Sequence, residues 1–425
     1  MNIGIIIGRY GDIDGVSLET SKWINILQKI GHKIFILSGA FSKYMKNGIH
    51  PTLYSPLSFY SPECEWEQKR AFYYPDDEPD ELIEHLERTS DAIALQIFKW
   101  IMANKIDIIL SENASALPCH LSMGMGIKKL VEHTGIKTIC HNHDFFWERG
   151  DRYKSPHKEI QQIIKSTFPL QSDHIRHAVI NSYSKNYLRQ HFNIDSIIVP
   201  NVMDFDKPYG QVDGYNNNLL KELGLKTTEI PLLQVTRIVR RKGIEVALDL
   251  IDRLNDKNIK LVITGSYADD ERIGYYKKLL SIINKRKLKN RVIFGRKKIH
   301  TYRGKTQSGE KIYSISDSYA HATSCTYFSI YEGFGNAFVE CVLAKKPIFV
   351  NNYKPVYWPE IGSKGFQTVM IEDNILTDEA VKKIDEIIHK PKLAREISEF
   401  NFELGKKYFS YNVLEQKLFY LFHHL

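Results

Sequence analysis

The sequence predicts an α/β protein with two doubly wound, Rossmann-like domains. Short β-branched runs alternate with amphipathic stretches of helical periodicity, and this alternation occurs in both halves of the chain. The 425 residues, of which 43% are hydrophobic, suffice to bury two cores and are long for a single domain. A polar, glycine-containing stretch at 210–218 separates the two series.

The predicted strands follow one another at the spacing of βα units. In the first half they are 2–8, 33–37, 106–110, 137–140, 178–181 and 196–199, and in the second half 231–236, 260–264, 291–294, 322–325, 347–350 and 368–371. The predicted helices include 16–30, 80–103, 118–133 and 243–255, the last from apolar residues at helical spacing. We therefore expect an N-terminal domain over 1–205, a C-terminal domain over 206–407 and an aromatic-rich helix over 408–425.

Composition limits the classes of partner. A net charge of +8 suits an anionic substrate, an anionic membrane surface or nucleic acid. Nucleic acid is disfavoured, since the sequence has no continuous basic face with stacking aromatics and no named binding module. The start, MNIGIIIGR, predicts an immediate strand, and no run of about 18 uncharged apolar residues occurs. We expect a cytoplasmic protein with reduced cysteines, and contact at the inner face of the membrane stays an open alternative.

The most informative motif is YEGFGNAFVE over 331–340. It sets Glu332 and Glu340 on either side of a glycine-paired turn that is predicted to open a helix. Glycines allow a ligand to approach the backbone closely, and a helix N-terminus suits phosphate oxygens. The pattern therefore favours a sugar-nucleotide site whose carboxylates accept hydrogen bonds from hydroxyls. The alternative is an ordinary loop-to-helix junction with two solvated carboxylates.

This motif resembles the E-x7-E motif of retaining glycosyltransferases with the GT-B fold, and nearly the whole chain is similar to family four of that class. The resemblance implies two Rossmann-like domains facing across a cleft, with the C-terminal helix crossing back to the N-terminal domain. It also implies metal-independent transfer of a hexosyl group from a UDP- or GDP-sugar to a carbohydrate-type acceptor, without a prosthetic group. In such enzymes the first Glu, here Glu332, holds the donor hexose as a catalytic residue, and the second, here Glu340, holds the ribose. The donor-binding backbone between them corresponds to Gly333, Phe334, Gly335 and Asn336.

A basic cluster follows the predicted strand 231–236. Arg237 and Lys242 match the R-x4-K pair of the resembled family, whose cations bind the donor diphosphate and neutralise the leaving group during catalysis. Arg240 and Arg241 lie between them without such a counterpart. The alternative for the cluster is a solvated basic turn.

Two segments of the N-terminal half carry the other candidates. The loop 11–17 resembles the family's glycine loop, with Gly15 as a donor-binding candidate and Asp14 as an acceptor-binding one. The segment 140–149 starts at a predicted strand end, and its His143 resembles the family's histidine near the reacting sugar. The further acceptor-binding candidates, which combine polar groups with a flat apolar face, are His141, Asp144 and Trp147. The alternative is a pair of buried, satisfied histidines.

The identity of the acceptor is open at this stage. The aromatics of 54–79 predict either an acceptor wall or a loop's own small core. Arg149, Arg152 and Lys154 either bind an acceptor phosphate or carboxylate or are solvated. No metal site is predicted, because Cys119-His120 with 140–143 lacks the paired short spacings of zinc sites and the D-x-D triplets at 12–14 and 204–206 lie in segments already explained.

Two other classes of protein fit the same architecture. Another GT-B enzyme, such as a disaccharide phosphorylase or a nucleotide-sugar epimerase, would need inorganic phosphate or would turn over without an acceptor. A non-catalytic sugar-nucleotide-binding protein would bind a donor without cleaving it. The joint presence of Arg237, Lys242, Glu332 and Glu340 favours a transferase.

Overall fold

The structure is a computed structural model that describes residues 1–11, 14–42, 48–266 and 274–423. The chain divides into two compact units. Unit 1 comprises Met1–Val202 with Tyr411–Leu425, and unit 2 comprises Met203–Ser410. Each unit is built on a parallel sheet with helices, so the predicted α/β class with two doubly wound domains is confirmed.

Unit 1 contains a parallel sheet that has seven strands among the described residues. They are β1 (Asn2–Ile7), β2 (Lys33–Ser38), β3 (Ile49–Leu53), β4 (Ile108–Glu112), β5 (Thr138–Asn142), β6 (Ile175–Val179) and β7 (Ser196–Ile198). Their order is β3-β2-β1-β4-β5-β6-β7, and each neighbouring pair is parallel. The order reverses between β1 and β4, which makes their carboxyl ends the topological switch point where open α/β sheets bind ligands.

The helices of this part of the chain are α1 (Gly15–Lys29), α2 (Pro62–Gln68), α3 (Asp80–Asn104), α4 (Leu121–Thr134), α5 (Lys158–Thr167) and α6 (Ser182–Phe192). Two glycines let α4 pack closely on its neighbours. A Cβ atom on Gly124 would lie 2.3 Å from the ring of Phe168, and one on Gly126 would lie 2.8 Å from Ile93 of α3. These glycines therefore serve packing inside a helix.

Unit 2 repeats the plan with a six-stranded parallel sheet and a small three-stranded one in its described part. Its strands are β8 (Ile230–Gln234), β9 (Ile259–Ile263), β10 (Val292–Phe294), β11 (Ile299–His300), β12 (Gly304–Lys305), β13 (Lys311–Ser314), β14 (Ser324–Tyr327), β15 (Ile348–Asn351) and β16 (Val369–Ile371). The large sheet has the order β10-β9-β8-β14-β15-β16, so its switch point lies between β8 and β14.

The helices of unit 2 are α7 (Leu219–Glu222), α8 (Ile244–Arg253), α9 (Gly274–Lys285), α10 (Ile315–His321), α11 (Asn336–Leu343), α12 (Tyr357–Glu360), α13 (Asp378–His389) and α14 (Pro391–Phe409). Apolar residues of α8, α9 and α13 cover the sheet. Ile251, Leu279 and Ile384 are fully buried in one cluster with Leu261 of β9.

The helix α15 (Tyr411–His423) returns to unit 1, as the fold class predicted. Leu414, Leu418 and Leu421 are buried in the same cluster as Trp23 and Leu27 of α1. This helix begins three residues later than predicted, because Phe409 ends α14 and its carbonyl accepts a hydrogen bond from the Met203 N–H (2.8 Å).

All twelve predicted strands are found, with shifts of up to three residues at their ends. The sequence analysis missed β3 and the short strands β11, β12 and β13. All five cysteines are free thiols. In the described part of the chain, no helix combines the length and the apolar character needed to cross a bilayer.

Candidate functional site

In unit 2, the predicted donor motifs follow the two strands that flank the switch point. The basic cluster comes after β8, and the Glu332 loop comes after β14 and leads into α11. The loop of the basic cluster and the loop after β14 approach each other closely at Gly243, where a Cβ atom would lie 2.0 Å from the carbonyl oxygen of Phe328. Gly243 also has a φ of 58°, so the turn from the basic cluster into α8 suits only glycine well.

Glu332 is the centre of this arrangement. Lys242 donates to its Oε1, and Arg241 Nη1 donates to its Oε2 at 3.0 Å. Burial alone would raise the pKa of Glu332, but the charges of Lys242 and Arg241 hold it below its usual range. Burial lowers the pKa of Lys242, and the nearby charges of Arg241 and Arg237 act in the same direction, whereas Glu332 opposes them. The carboxylate thus carries its charge in a buried setting with both oxygens engaged.

The structure brings Arg241 to Glu332, a contact that the sequence analysis did not predict. The same guanidinium donates to the carbonyl of Tyr331 (3.0 Å) and fastens the glutamate loop to the basic cluster. Arg237 is exposed and acts on Lys242 through its charge. Arg240 lies over the ring of Tyr275, 5.3 Å from its centroid, and so faces another neighbour.

The glycine turn opens α11 as predicted. Gly335 has a φ of 140°, and a Cβ atom there would lie 2.3 Å from the hydroxyl oxygen of Tyr353, which itself donates to the carbonyl of Phe334 (2.8 Å). The Phe334 side chain is buried against Phe409, with ring centroids 5.5 Å apart, so only its backbone can face a ligand. Gly333 and Asn336 are partly exposed on either side of the turn.

Glu340 lies in the second turn of α11. Its Oε2 accepts a hydrogen bond from the hydroxyl of Tyr319 (3.3 Å), which also donates to the carbonyl of Ala337 (3.1 Å). The side chain is only partly buried. Tyr319 therefore orients the second carboxylate of the motif while leaving it acceptor capacity.

In unit 1, the predicted histidines gather around a residue that the sequence analysis missed. Glu112 ends β4 and is buried. Its carboxylate lies 3.0 Å from His141 Nδ1 and 3.7 Å from His143 Nε2. Trp23 stacks on His141 with centroids 4.0 Å apart. Burial alone would raise the pKa of Glu112, but the two imidazoles lower it, and burial lowers the pKa of His141, so His141 is a neutral donor to an ionised carboxylate.

Asn113 holds the histidine segment in place. It has a left-handed φ of 52°, an uncommon conformation for a residue other than glycine. Its Oδ1 accepts from the His143 N–H and its Nδ2 donates to Asp144 Oδ1, both at 3.0 Å. Asp144 also pairs with Arg149. His143 and Asp144 are therefore fixed by a polar side chain from the neighbouring strand's end.

A cavity of about 350 Å³ lies beside this cluster, within unit 1. Ile7 at the end of β1 and Glu112 at the end of β4 line it, which places it at the switch point. The other lining residues are Arg9, Asp14, Val16, Phe59, Tyr60, Gln68, Tyr73, Asn113, Leu117, Cys119 and Arg152. Three aromatics of the 54–79 segment thus line the cavity, whereas Trp66 and Phe72 pack in a separate core cluster.

The loop candidates Asp14 and Gly15 lie at the start of α1. Asp14 caps the helix by accepting from the Ser17 N–H (3.0 Å), and its other oxygen lies 3.2 Å from Arg9 Nε. A Cβ atom on Gly15 would have no atom of the described chain within 4 Å, so packing does not require glycine there. Residues 12–13 of this loop, and with them the D-x-D triplet at 12–14, lie outside the described residues.

Trp147 does not have the open face that its predicted role in sugar stacking needs. Its ring stacks on Phe145 (4.4 Å, 6°) and on Tyr187 (4.3 Å, 13°), and two near-parallel rings at these distances must cover opposite faces. The ring faces of Trp147 are therefore covered by its own neighbours, and acceptor binding by this residue stays a prediction. Aromatic residues adjacent to a strand end can form a local core as readily as a ligand platform.

Glu112, His141 and His143 also have ligand-type atoms within 4.8 Å of one another. Such a group could hold a metal ion, but His141 already uses its Nδ1 toward Glu112. A metal ion bound through this Nδ1 would replace the hydrogen bond to Glu112.

Comparisons with known proteins agree with the geometry. Residues 216–403 match the model of the family "Glycosyl transferases group 1". The chain is 30% identical over 449 residues to the mannosylglucosylglycerate synthase of Thermotoga maritima, covering 98% of this chain and 99% of that protein. It is 29% identical over 443 residues to the protein of the same name from Petrotoga mobilis, covering 96% and 98%.

Among solved structures, the chain is similar to Anabaena HepE in complex with UDP-glucose. The TM-score is 0.66 at 12% identity, and the match covers 100% of both chains. At this identity the likeness shows the fold, which is that of GT-B glycosyltransferases. The fold, the paired switch-point loops and the full-length relatives lead to one conclusion: the chain belongs to the group 1 glycosyl transferases.

Proposed function

We propose that this glycosyltransferase moves a hexosyl group from a UDP- or GDP-sugar to a hydroxyl of a small glycosylated hydroxy acid, with retention of anomeric configuration. The observation that carries the proposal is the ion cluster of Lys242, Arg241 and Glu332 at the switch point of unit 2. The acceptor class follows from two relatives that match almost the whole chain and are named for synthesis of mannosylglucosylglycerate.

The charges of the cluster suit a diphosphate. Arg241 and Lys242 carry two positive charges against the single carboxylate of Glu332, and the charge of Arg237 acts on Lys242 nearby. The diphosphate bridge of a nucleotide sugar carries two negative charges. Fixed cations in a partly buried site stabilise a leaving group without reorganising, and a helix N-terminus at α11 adds to the same effect.

Glu332 is better suited to hold the hexose than to attack it. Both of its oxygens are occupied by cations, which lowers their nucleophilicity, but each still has a lone pair for a sugar hydroxyl. We therefore favour front-face transfer. The acceptor oxygen forms a bond to the anomeric carbon while the bond to the phosphate oxygen breaks, and that phosphate oxygen takes the acceptor proton.

In unit 1 the proposal gives His143 a place beside the reacting sugar and Glu112 a positioning role. Glu112 holds His141 directly and lies 3.7 Å from His143, and Asn113 fixes the backbone of His143. Such a preorganised group can hold an acceptor hydroxyl in one orientation, which is the positioning that transfer needs.

The test is a panel of nucleotide sugars with EDTA present, with glucosylglycerate as the acceptor. We expect release of UDP or GDP from one donor together with a glycosylated product whose anomeric configuration, read by NMR, matches that of the donor. In the Lys242→Met variant transfer should fall about 100- to 1,000-fold, the usual loss when one donor to a developing oxyanion is removed. Glu340→Gln should raise the KM for the donor.

Lys345→Met is the matched control, since Lys345 forms an exposed ion pair with Glu399 in the same unit. Circular dichroism checks that the variants are folded. A strict requirement for inorganic phosphate, epimerisation without an acceptor, or nucleotide binding without any transfer would overturn the proposal. Loss of activity in EDTA that Mg²⁺ or Zn²⁺ restores would instead assign a metal role, for which the Glu112 group is the first place to look.

A further inference from the structure

We infer that the unit 1 cavity is a subsite for the acceptor's carboxylate and that Arg152 is the residue that binds it. This inference rests on the proposed function and names the acceptor group that the cavity selects. The sequence left three candidate cations for such a role, Arg149, Arg152 and Lys154.

These three cations differ in their partners. Arg149 pairs with Asp144, and Lys154 pairs with Asp151 in a fully exposed turn. Arg152 lines the cavity at the switch point and has no carboxylate within 4.0 Å among the described residues. Its guanidinium lies 5.4 Å from the ring centroid of Tyr153 and near the side chain of Tyr73, both of which are neutral groups.

The other charged groups of the cavity have partners within unit 1. Arg9 pairs with Asp14 at 3.2 Å and donates to the hydroxyl of Tyr60 at 3.1 Å. Glu112 accepts a hydrogen bond from His141 Nδ1 at 3.0 Å and lies 3.7 Å from His143 Nε2. The cavity therefore offers one cation whose charge is not opposed by a neighbouring carboxylate, and a guanidinium is well shaped for bidentate binding of a carboxylate.

The remaining walls suit the sugar part of the same molecule. Tyr60 and Tyr73 are half-exposed or more, so their rings and hydroxyls are available at the rim. Gln68 and Asn113 add amide groups that can bond to sugar hydroxyls. A volume of about 350 Å³ is at the lower end of the usual range for small-molecule sites. A monosaccharide linked to a three-carbon acid is a ligand of this size and chemistry.

The experiment compares two acceptors that differ at one carbon, which is a carboxylate in glucosylglycerate and a hydroxymethyl group in glucosylglycerol. Wild type, Arg152→Gln and Arg152→Lys are assayed with both, and release of nucleotide in the absence of acceptor is measured in parallel. Arg152→Gln should lower kcat/KM for the acid about 10- to 100-fold, mainly through KM, because a hydrogen-bonded ion pair is lost. The loss with the neutral acceptor should be much smaller than the loss with the acid, and Arg152→Lys should recover part of the loss with the acid.

Arg189→Gln is the matched control, because Arg189 is an exposed arginine of unit 1 that pairs with Asp195 outside the cavity. Equal losses with both acceptors, or no loss with the acid, would overturn the carboxylate assignment.

Titration calorimetry with glucosylglycerate and with inorganic phosphate tests the carboxylate subsite separately from the proposed transfer reaction. If wild type cleaves the donor but transfers to neither acceptor, the proposed acceptor class fails. In that case, binding of glucosylglycerate to wild type but not to Arg152→Gln would still support the carboxylate subsite. The subsite would be excluded if wild type does not bind glucosylglycerate, or if it binds inorganic phosphate as tightly as glucosylglycerate.

Discussion

At the scale of single residues, unit 1 contains buried histidines in contrasting settings. His141 donates to an ionised carboxylate, whereas His177 bonds to neutral groups: its Nε2 lies 2.9 Å from the carbonyl oxygen of Leu170, and its Nδ1 lies 3.1 Å from Asn142 Nδ2. The carbonyl can only accept and the amide nitrogen can only donate, so His177 is the neutral tautomer with its proton on Nε2. Burial lowers the pKa of His177 to about 4.

This setting predicts a loss of stability at mildly acidic pH. The unfolded chain binds a proton at His177 with a pKa of about 6.5, above that of the folded state, so the stability is present above pH 6.5 and is lost as the pH falls toward 4. The full contribution is about 3 kcal/mol. Denaturant unfolding of wild type and His177→Gln between pH 7 and 4 should show a shallower pH dependence in the variant. His133→Gln, at an exposed position of α4, should keep the wild-type slope, and identical slopes in all three proteins would contradict the assignment.

The site residues show which side chains could be predicted from the sequence. Glu332 belongs to the E-x7-E motif and Lys242 to the R-x4-K pair, so the spacing of residues within each motif was enough to predict them. Arg241 and Glu112 acquire their roles from partners on other segments, Glu332 and the two histidines. Nothing local distinguishes Glu112 from another glutamate at a strand end. Trp147 shows the reverse case, since its sequence context fits both a sugar platform and a core.

At the scale of elements, most of the predicted strands are buried along most of their length. β3 was missed because Ile49–Leu53 is mostly exposed and contains Pro51, which lowers strand propensity. Its position at the edge of the sheet explains why proline is tolerated there. The strands β11 and β12 have two residues each, too few to produce a period. Pairing with a neighbouring strand, rather than a pattern within the segment, defines all of these.

The helix α15 has one face buried in the unit 1 core and another exposed. Leu418 is fully buried in the unit 1 core, while its neighbour Phe419 is 62% exposed. Leu418→Ala should lower the free energy of unfolding of unit 1 by about 2 to 5 kcal/mol, through lost burial and the cavity left behind. Phe419→Ala should change it by less than about 0.5 kcal/mol. Hydrogen exchange of the β1 and β4 amides measures the effect within unit 1, and equal protection in both variants would show that α15 is not part of that core.

At the scale of the whole molecule, the motifs predicted to bind the donor lie in unit 2, and the cavity with its histidine cluster lies in unit 1. Nucleotide should therefore stabilise the units unequally. A ligand that binds only the folded state adds about 2.7 kcal/mol at 100 times its Kd. With saturating UDP or GDP, whichever is the product, hydrogen exchange should slow in Met203–Ser410 and change little in Met1–Val202. The Lys242→Met variant should abolish this protection, and equal protection of both units would place nucleotide contacts in unit 1 as well.

Unit 1 is discontinuous in sequence, and this has a consequence for how the protein is made. The ribosome delivers Met1–Val202 first, then all of unit 2, and only afterwards the leucines of Tyr411–His423 that complete the first core. At a synthesis rate of about 5 to 20 residues per second, Met203–Ser410 takes about 10 to 40 s to emerge. Throughout that interval the apolar surface around Trp23 and Leu27 lacks the helix that packs on it in the folded protein. The nascent chain therefore exposes to chaperones an apolar surface that is buried once α15 has docked.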